Sequence, residues 1–503
     1  MIRLLGCTLT ILTAVSVGSQ PVAKPADPPT KDARPGTVAP PPKPYVITLT
    51  ASPAAAPVPA LRYELIARQR ERTPGNAALH YQRAYQLRPT WPRNLAESQR
   101  QEEMISKWEQ ASTDQFPAAE VKKFLLGYAN AFKALDIAAR CNHCDWELDI
   151  NLTPDGIGTM LPEVQSQREL ARFQKLRIEA DLVENDFQAA SRDLMTGFRQ
   201  AKDVAEGPTL IRMLVGIALA AVYTGELDRW VGRPNSPNLY WALTTLPHPL
   251  IDPRPASIGE GQFVEALFPE IQALEKGPVS PERANMALER AFDTLRQFPN
   301  TDEPSGLGTF AGKVGLAAYI ALQYPEAKKQ LIALGRPAAE VDKMPPAQVV
   351  VLRAYGVYRA MYDDWLKCFS LPYPQAVAEQ ARASERAAKL VKANETDVMI
   401  RLFSLTQPAF AKVTSAHART ERRLTGLRVI EAIRMHAAAN GGQPPKQLAE
   451  ITLVPVPDDP NTGKPFEYSA DGTTFKLMAP APAGELPHVA NSFQYVITLR
   501  GPN

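Results

Sequence analysis

The sequence predicts a mainly α-helical protein. The expected form is an irregular α-solenoid, similar to tetratricopeptide repeats, followed by a small C-terminal α+β domain of one long helix and a short antiparallel sheet. Three observations predict this. Apolar residues recur at three- and four-residue spacing through most of 59–400, the mark of amphipathic helices. Two such stripes within 165–203 are separated only by Glu184-Asn185-Asp186, which suits an antiparallel helix pair. Short apolar segments bounded by turn residues gather near the C-terminus, at 466–468, 474–478 and 493–499.

In chain order, residues 1–19 read as an export signal. Arg3 is the one charge before an apolar run over 4–18, and Val17-Gly18-Ser19 suits cleavage before Gln20. The run falls short of the roughly 20 apolar residues of a membrane span, so the only membrane segment expected is this signal left uncut as an anchor. Leu4-Leu5-Gly6-Cys7 has the letters of a lipoprotein box, but the apolar run follows Cys7 instead of preceding it. Residues 20–58 are proline-rich, densest at Pro40-Pro41-Pro42-Lys43-Pro44. Such a segment favours extended polyproline geometry and reads as a disordered linker, with 45–49 able to pair as a short strand.

The helical array is expected over 59–400. Val121, Phe124, Leu125, Tyr128, Phe132 and Leu135 form one stripe; Leu170, Phe173, Leu176, Ala180 and Val183 form a second. Phe187, Ala190, Leu194, Phe198 and Ala201 continue it. Val351, Tyr355, Tyr358, Tyr362, Trp365 and Phe369 form another. Pro117, Pro208 and Pro346 sit where helices start. The stretch 213–223 carries no charge and is too short to span a membrane, so it predicts a buried central helix. From 401 a long helix carries Leu424, Leu427, Ile430, Ile433 and Ala437, and Asn440-Gly441-Gly442 stops it. Asp471-Gly472 then predicts a hairpin turn.

The segment LRVIEAIRMHAAANGGQPPKQLAEI and the following PVPDDPNTGKPFEY resemble the periplasmic domain of the type II secretion major pseudopilin. The matching positions are Gly442, Pro445, Leu448, Asp459, Pro460, Gly463, Pro465 and Tyr468. The resemblance covers about the last hundred residues and implies a helix-plus-sheet fold for 401–503. It does not carry over the polymerising role, because no methylated transmembrane helix leads into this segment. Nor does it carry over a calcium site, because Ala479-Pro480-Ala481-Pro482 stands where an acidic ligand loop would be. TPGNAALHYQRA at 73–84, Cys144-Asp145-Trp146 and LVGIA at 214–218 also make the chain resemble a recurrent family of exported bacterial proteins, a likeness that implies no activity.

With 56 basic and 53 acidic residues the net charge is +3, which gives no support for nucleic-acid binding. Cys141, Cys144 and Cys368 would remain after signal cleavage, as structural thiols or as one disulfide and a free thiol. Cys141-Asn142-His143-Cys144 follows a helix C-terminus, where the dipole disfavours a thiolate, and it lacks a fourth zinc ligand. His80, His143, His248, His417, His436 and His488 form no metal-binding pair. The stretch 306–313 has Leu307 where a phosphate loop needs its first glycine and Val314 where it needs Ser or Thr. Asp458-Asp459-Pro460-Asn461-Thr462-Gly463 lacks the closing Glu of a calcium loop and reads as a turn. Arg419, Arg422, Arg423 and Arg428 read as a solvated helix face, with contact to an anionic partner as the alternative.

The functional expectation is a non-enzymatic interaction scaffold of the cell envelope, with protein partners and no cofactor. The competing expectation is a hydrolase-like envelope enzyme whose site is assembled from carboxylates on separate helices. Glu120, Asp145, Glu147 and Asp149 are the first to test.

Overall fold

The structure, a computed structural model, describes residues 45–147, 162–296, 313–394, 397–400, 410–481, 487 and 491–501. The export signal, the linker up to 44, Asp149, His488 and the glycine-rich 306–312 lie outside the described residues.

The chain opens with strand β1 (Tyr45–Ala51) and then builds a small helical lobe. Its helices are α1 (Ala77–Gln86), α2 (Leu95–Gln110), α3 (Ala118–Leu125) and α4 (Ala129–Ala138). Asn76 and Asn94 cap α1 and α2 through their side-chain oxygens, at 3.1 and 2.9 Å from the N–H groups of Ala78 and Ala96. Short strands β2 (Thr73–Asn76) and β3 (Cys141–His143) pair in parallel beside them. Tyr81, Trp108, Tyr128 and Phe132 form the lobe's core together with Leu170, Phe173, Leu176 and Ala180 from the next helix.

That helix, α5 (Pro162–Val183), forms an antiparallel pair with α6 (Phe187–Ala205). The turn is as short as expected: Asn185 takes a left-handed φ of 58°, and Asp186 Oδ1 caps α6 at 2.9 Å from Ala189 N. Helix α7 (Leu210–Gly232) lies against both. It contains 213–223 and is long and apolar enough to cross a membrane, yet 72% of its apolar window is buried inside the protein. Small residues set its close approach to α6. A Cβ on Gly216 would lie 2.5 Å from Ala205, and one on Gly197 would lie 2.5 Å from the Tyr223 ring. Trp230, near the end of α7, packs edge-on to Tyr63 and donates to the Pro237 carbonyl at 2.9 Å.

The middle of the chain adds α8 (Tyr240–Thr244), α9 (Arg254–Leu267), α10 (Glu270–Glu275), α11 (Pro281–Arg296), α12 (Lys313–Ala333), α13 (Ala338–Val341), α14 (Pro346–Leu366) and α15 (Tyr373–Ala393). The Tyr355, Tyr358 and Tyr362 stripe of α14 is buried, with consecutive rings stacked 6.3 and 5.8 Å apart. It is core and not an open groove.

Helix α16 (Phe410–Ala439) ends as its sequence requires. Gly441 and Gly442 have φ of 61° and 82°, and Gly442 N donates to Ala437 O at 2.8 Å, closing a Schellman-type stop. Strands β4 (Glu467–Asp471), β5 (Thr474–Ala479) and β6 (Phe493–Leu499) follow, with Gly472 at the β4–β5 turn. The four-stranded order is β1-β6-β5-β4, and β1 joins in parallel, Tyr45 opposite Phe493 and Ala51 opposite Leu499. Residues 45–51 of the expected linker 20–58 are therefore a strand of the C-terminal sheet. One continuous core runs from β1 through α7 and α14 to α16 and the sheet.

Candidate functional site

All three described cysteines are free thiols. Cys141 is buried after the end of α4 and donates to Ile137 O at 3.5 Å. Burial pushes the Cys144 thiol far above its ordinary value, and the carboxylates of Asp203 and Glu206 add to this. Burial raises Cys141 as well. Thiols held protonated in this way are poor nucleophiles and poor metal ligands. Cys368 is buried after α14, where it donates to Asp364 O at 3.4 Å. Among the described residues no three His, Cys, Asp or Glu side chains assemble as a metal set.

In the pseudopilin-like loop, Asp459 has 1% of its surface exposed. Its two oxygens accept from Arg422 Nε and Nη2 at 2.8 and 2.5 Å. Its carbonyl accepts from Thr462 N and Gly463 N at 3.1 and 2.8 Å, and Gly463 takes a φ of 66°. Pro460 sits in this turn, Pro465 leads out of it toward β4, and Tyr468 of β4 donates to Pro445 O at 2.7 Å. The loop is a turn tied to α16, and the Asp459 carboxylate is occupied by an arginine.

The arginine cluster departs from the solvated face expected of it. Arg422 is buried on Asp459, and Arg423 reaches inward to Asp228 Oδ2 at 2.5 Å. The Arg423 guanidinium lies 5.6 Å from the centre of the Tyr495 ring. The anionic partner is the protein's own interior, because α16 is covered by α7 on one side and by the sheet on another.

Of the carboxylates chosen from sequence, the three among the described residues do not converge. Glu120, Asp145 and Glu147 are exposed; Asp145 Oδ1 accepts from Glu147 N at 2.8 Å in the loop after β3. One convergence of ionisable groups lies around α7; Arg353 with Asp397 and Tyr319, and Glu431 with Arg434, form separate buried sets. On the α5 side, Glu179 and Glu226 are sealed, with side-chain exposures of 0% and 1%, around Arg229. Arg229 Nη1 binds Glu179 Oε1, while its Nε stands 3.5 Å from Glu226 Oε1. Burial first, and then the Glu226 charge, push Glu179 up to about 8. Burial raises Glu226 too. On the opposite side, Asp228 accepts from Tyr495 Oη at 2.7 Å and from Arg423. Toward the small lobe, Asp203 accepts from Tyr81 Oη at 2.9 Å and from Arg199 Nε at 2.7 Å, and burial lifts its carboxyl to about 6. Trp146 Nε1 donates to the Asp203 carbonyl at 2.9 Å, and its ring stacks on Tyr81 at 5.8 Å.

No family model, curated protein or solved structure matches the chain. The site is therefore read from its geometry alone. Its carboxyls can store protons and hold helices together, but Glu179 and Glu226 are sealed from any substrate. Sequence reasoning missed them because Glu179, Glu226 and Asp228 sit in helices whose periodicity reports apolar faces. The signal that was present is charge at positions flanked by apolar neighbours, as in Gly225-Glu226-Leu227-Asp228-Arg229-Trp230.

Proposed function

We propose that the protein is an exported scaffold of the cell envelope, a solenoid-like helical array that binds a partner protein through apolar side chains of its N-terminal lobe. The observation that carries this reading is a set of large apolar residues left in solvent there. Leu126 and Leu95 are each 73% exposed and Leu79 is 59% exposed. Gly127 lies so close to Pro89 that a Cβ would be 3.2 Å from its ring, which brings Leu126 beside the α1–α2 connection and the 40% exposed Leu87. Single exposed apolar residues also occur elsewhere, Leu322 and Met286 among them, whereas Leu126 and Leu87 meet at one connection, which is the form of a contact patch. Arg3 and the apolar run behind it support export. The order of long helix and then sheet supports the pseudopilin likeness in fold, with β1 from the other end of the chain as the departure from it.

The test is expression with an intact N-terminus in a bacterium, cell fractionation and crosslinked capture. The reading expects processed protein in the envelope fraction and a captured envelope protein that Leu126→Glu loses by tenfold or more. Unprocessed protein in the cytoplasm, or identical capture by both chains, would overturn it.

A further inference from the structure

We propose that Glu179 and Glu226 form a proton-operated latch. With one proton on the pair the α5–α7 seam is closed, and when that proton leaves, the end of α7 loosens its hold on the C-terminal sheet.

The geometry of the seam carries the proposal. Two carboxyls are sealed against one guanidinium, and that guanidinium is committed: Arg229 Nη1 binds Glu179 and also donates to Thr113 Oγ1 at 3.3 Å. Neither Glu226 oxygen nor Glu179 Oε2 has a hydrogen-bond partner. A buried carboxylate without donors is far less stable than the neutral acid, and two adjacent ones repel. The charged groups facing the pair are few. Helix α5 contributes Lys175, α7 itself contributes Arg229 and Asp228, and α16 contributes Arg423, which is bound to Asp228. Strand β1 brings Tyr45, which faces Arg423 and Asp228. Helix α6 meets this part of α7 with Gln200, which accepts from Tyr223 Oη at 2.7 Å. Helix α9 brings Glu260 to the far end of α7, on Leu210 N at 3.0 Å.

The sign follows from burial. Both carboxyls bind protons more tightly folded than unfolded. The stability they contribute is fully present below the ordinary Glu value of 4.5 and is lost as pH rises, for Glu179 through about 8. The link to the sheet is one turn of helix: Glu226 and Arg229 face α5, while Asp228 between them holds Tyr495 of β6 and Arg423 of α16. Strain at Glu226 therefore reaches the strand that anchors the sheet.

The test uses the full chain. Its unfolding constant is expected to rise between about pH 5 and about pH 9, and Glu226→Gln should remove up to about tenfold of that rise per pH unit. Amide-exchange protection of 220–232 and of 493–499, corrected for intrinsic rates, should fall together with rising pH in the wild type and fall less in Glu226→Gln, where Glu179 and Asp228 still titrate. Equal pH dependence in the two chains overturns the pair, and loss of protection confined to 220–232 overturns the link to the sheet. Should Glu226→Gln fail to fold, Lys175→Met is read instead. Lys175 is half-buried, and removing its charge should move the transition to higher pH; an unmoved transition overturns the proposal.

Discussion

The bundle α5–α7 and the surface of α14–α15 are both dense in charge, and they treat it in opposite ways. In the bundle, Glu179, Glu226, Asp203 and Asp228 are buried, and desolvation raises every one of them. On the surface, Glu379 meets Arg386 Nη2 at 2.7 Å, Arg382 Nη2 at 2.6 Å and Lys367 Nζ at 3.1 Å, and these donors pull it down to about 2. Asp364, bound by Arg386 and Lys367, is lowered as well. The residue types are the same. What differs throughout is the access of water, since Asp203 and Asp228 have two donors each, as Asp364 does; at Glu179 and Glu226 a shortage of donors adds to it.

A third arrangement, buried and fully paired, sets the scale of the largest effect. The side chains of Arg422 and Asp459 are each 2% exposed and bound at two points, and Arg422 Nη1 also donates to Pro480 O at 2.7 Å. Arg422→Ala would leave the buried Asp459 charge with only the Asn461 N–H, 3.0 Å from Oδ1, and denaturant unfolding should show a loss of about 3–5 kcal/mol. A loss under about 1 kcal/mol would mean that the loop swings out and rehydrates. Tyr495→Phe removes one donor from Asp228 and leaves Arg423 in place. The expected loss is about 1 kcal/mol by the same measurement, larger at high pH, where Asp228 depends most on its donors. The smallest effect belongs to the surface network. Glu379→Gln should leave the thermal midpoint at neutral pH unchanged within error, because exposed pairs are screened. The stabilising contribution of Glu379 is present above the ordinary Glu value and lost as pH falls through about 2, the reverse of the bundle. A destabilised Glu379→Gln chain at neutral pH would show that exposure does not separate the two regions.

Much of the fold was legible. Glu184-Asn185-Asp186 announced the α5–α6 turn, Asn440-Gly441-Gly442 the end of α16, and the spacing of 493–499 a strand. These are local matters, settled by backbone conformation and by side-chain periods of 3.6 and 2. The arginines of α16 misled for the same reason. A helix period shows which residues share a face and not what covers it, so Arg422 and Arg423 read as solvated until Asp459 and Asp228 were placed against them. The site was barely legible. Glu179 and Glu226 are 47 residues apart, and nothing near either one marks the other. By itself the sequence determined the helical class, the turns at 184–186 and 440–442 and the small net charge of +3, because each depends on composition or on neighbours along the chain. Only the tertiary structure decided that residues 45–51 complete the C-terminal sheet and that Asp228 joins Arg423 to Tyr495. It also decided that two glutamates share one arginine in the dark of a helix seam. Those outcomes depend on which distant segments exclude water from the same small volume, and it is this exclusion that gives a carboxylate its chemistry.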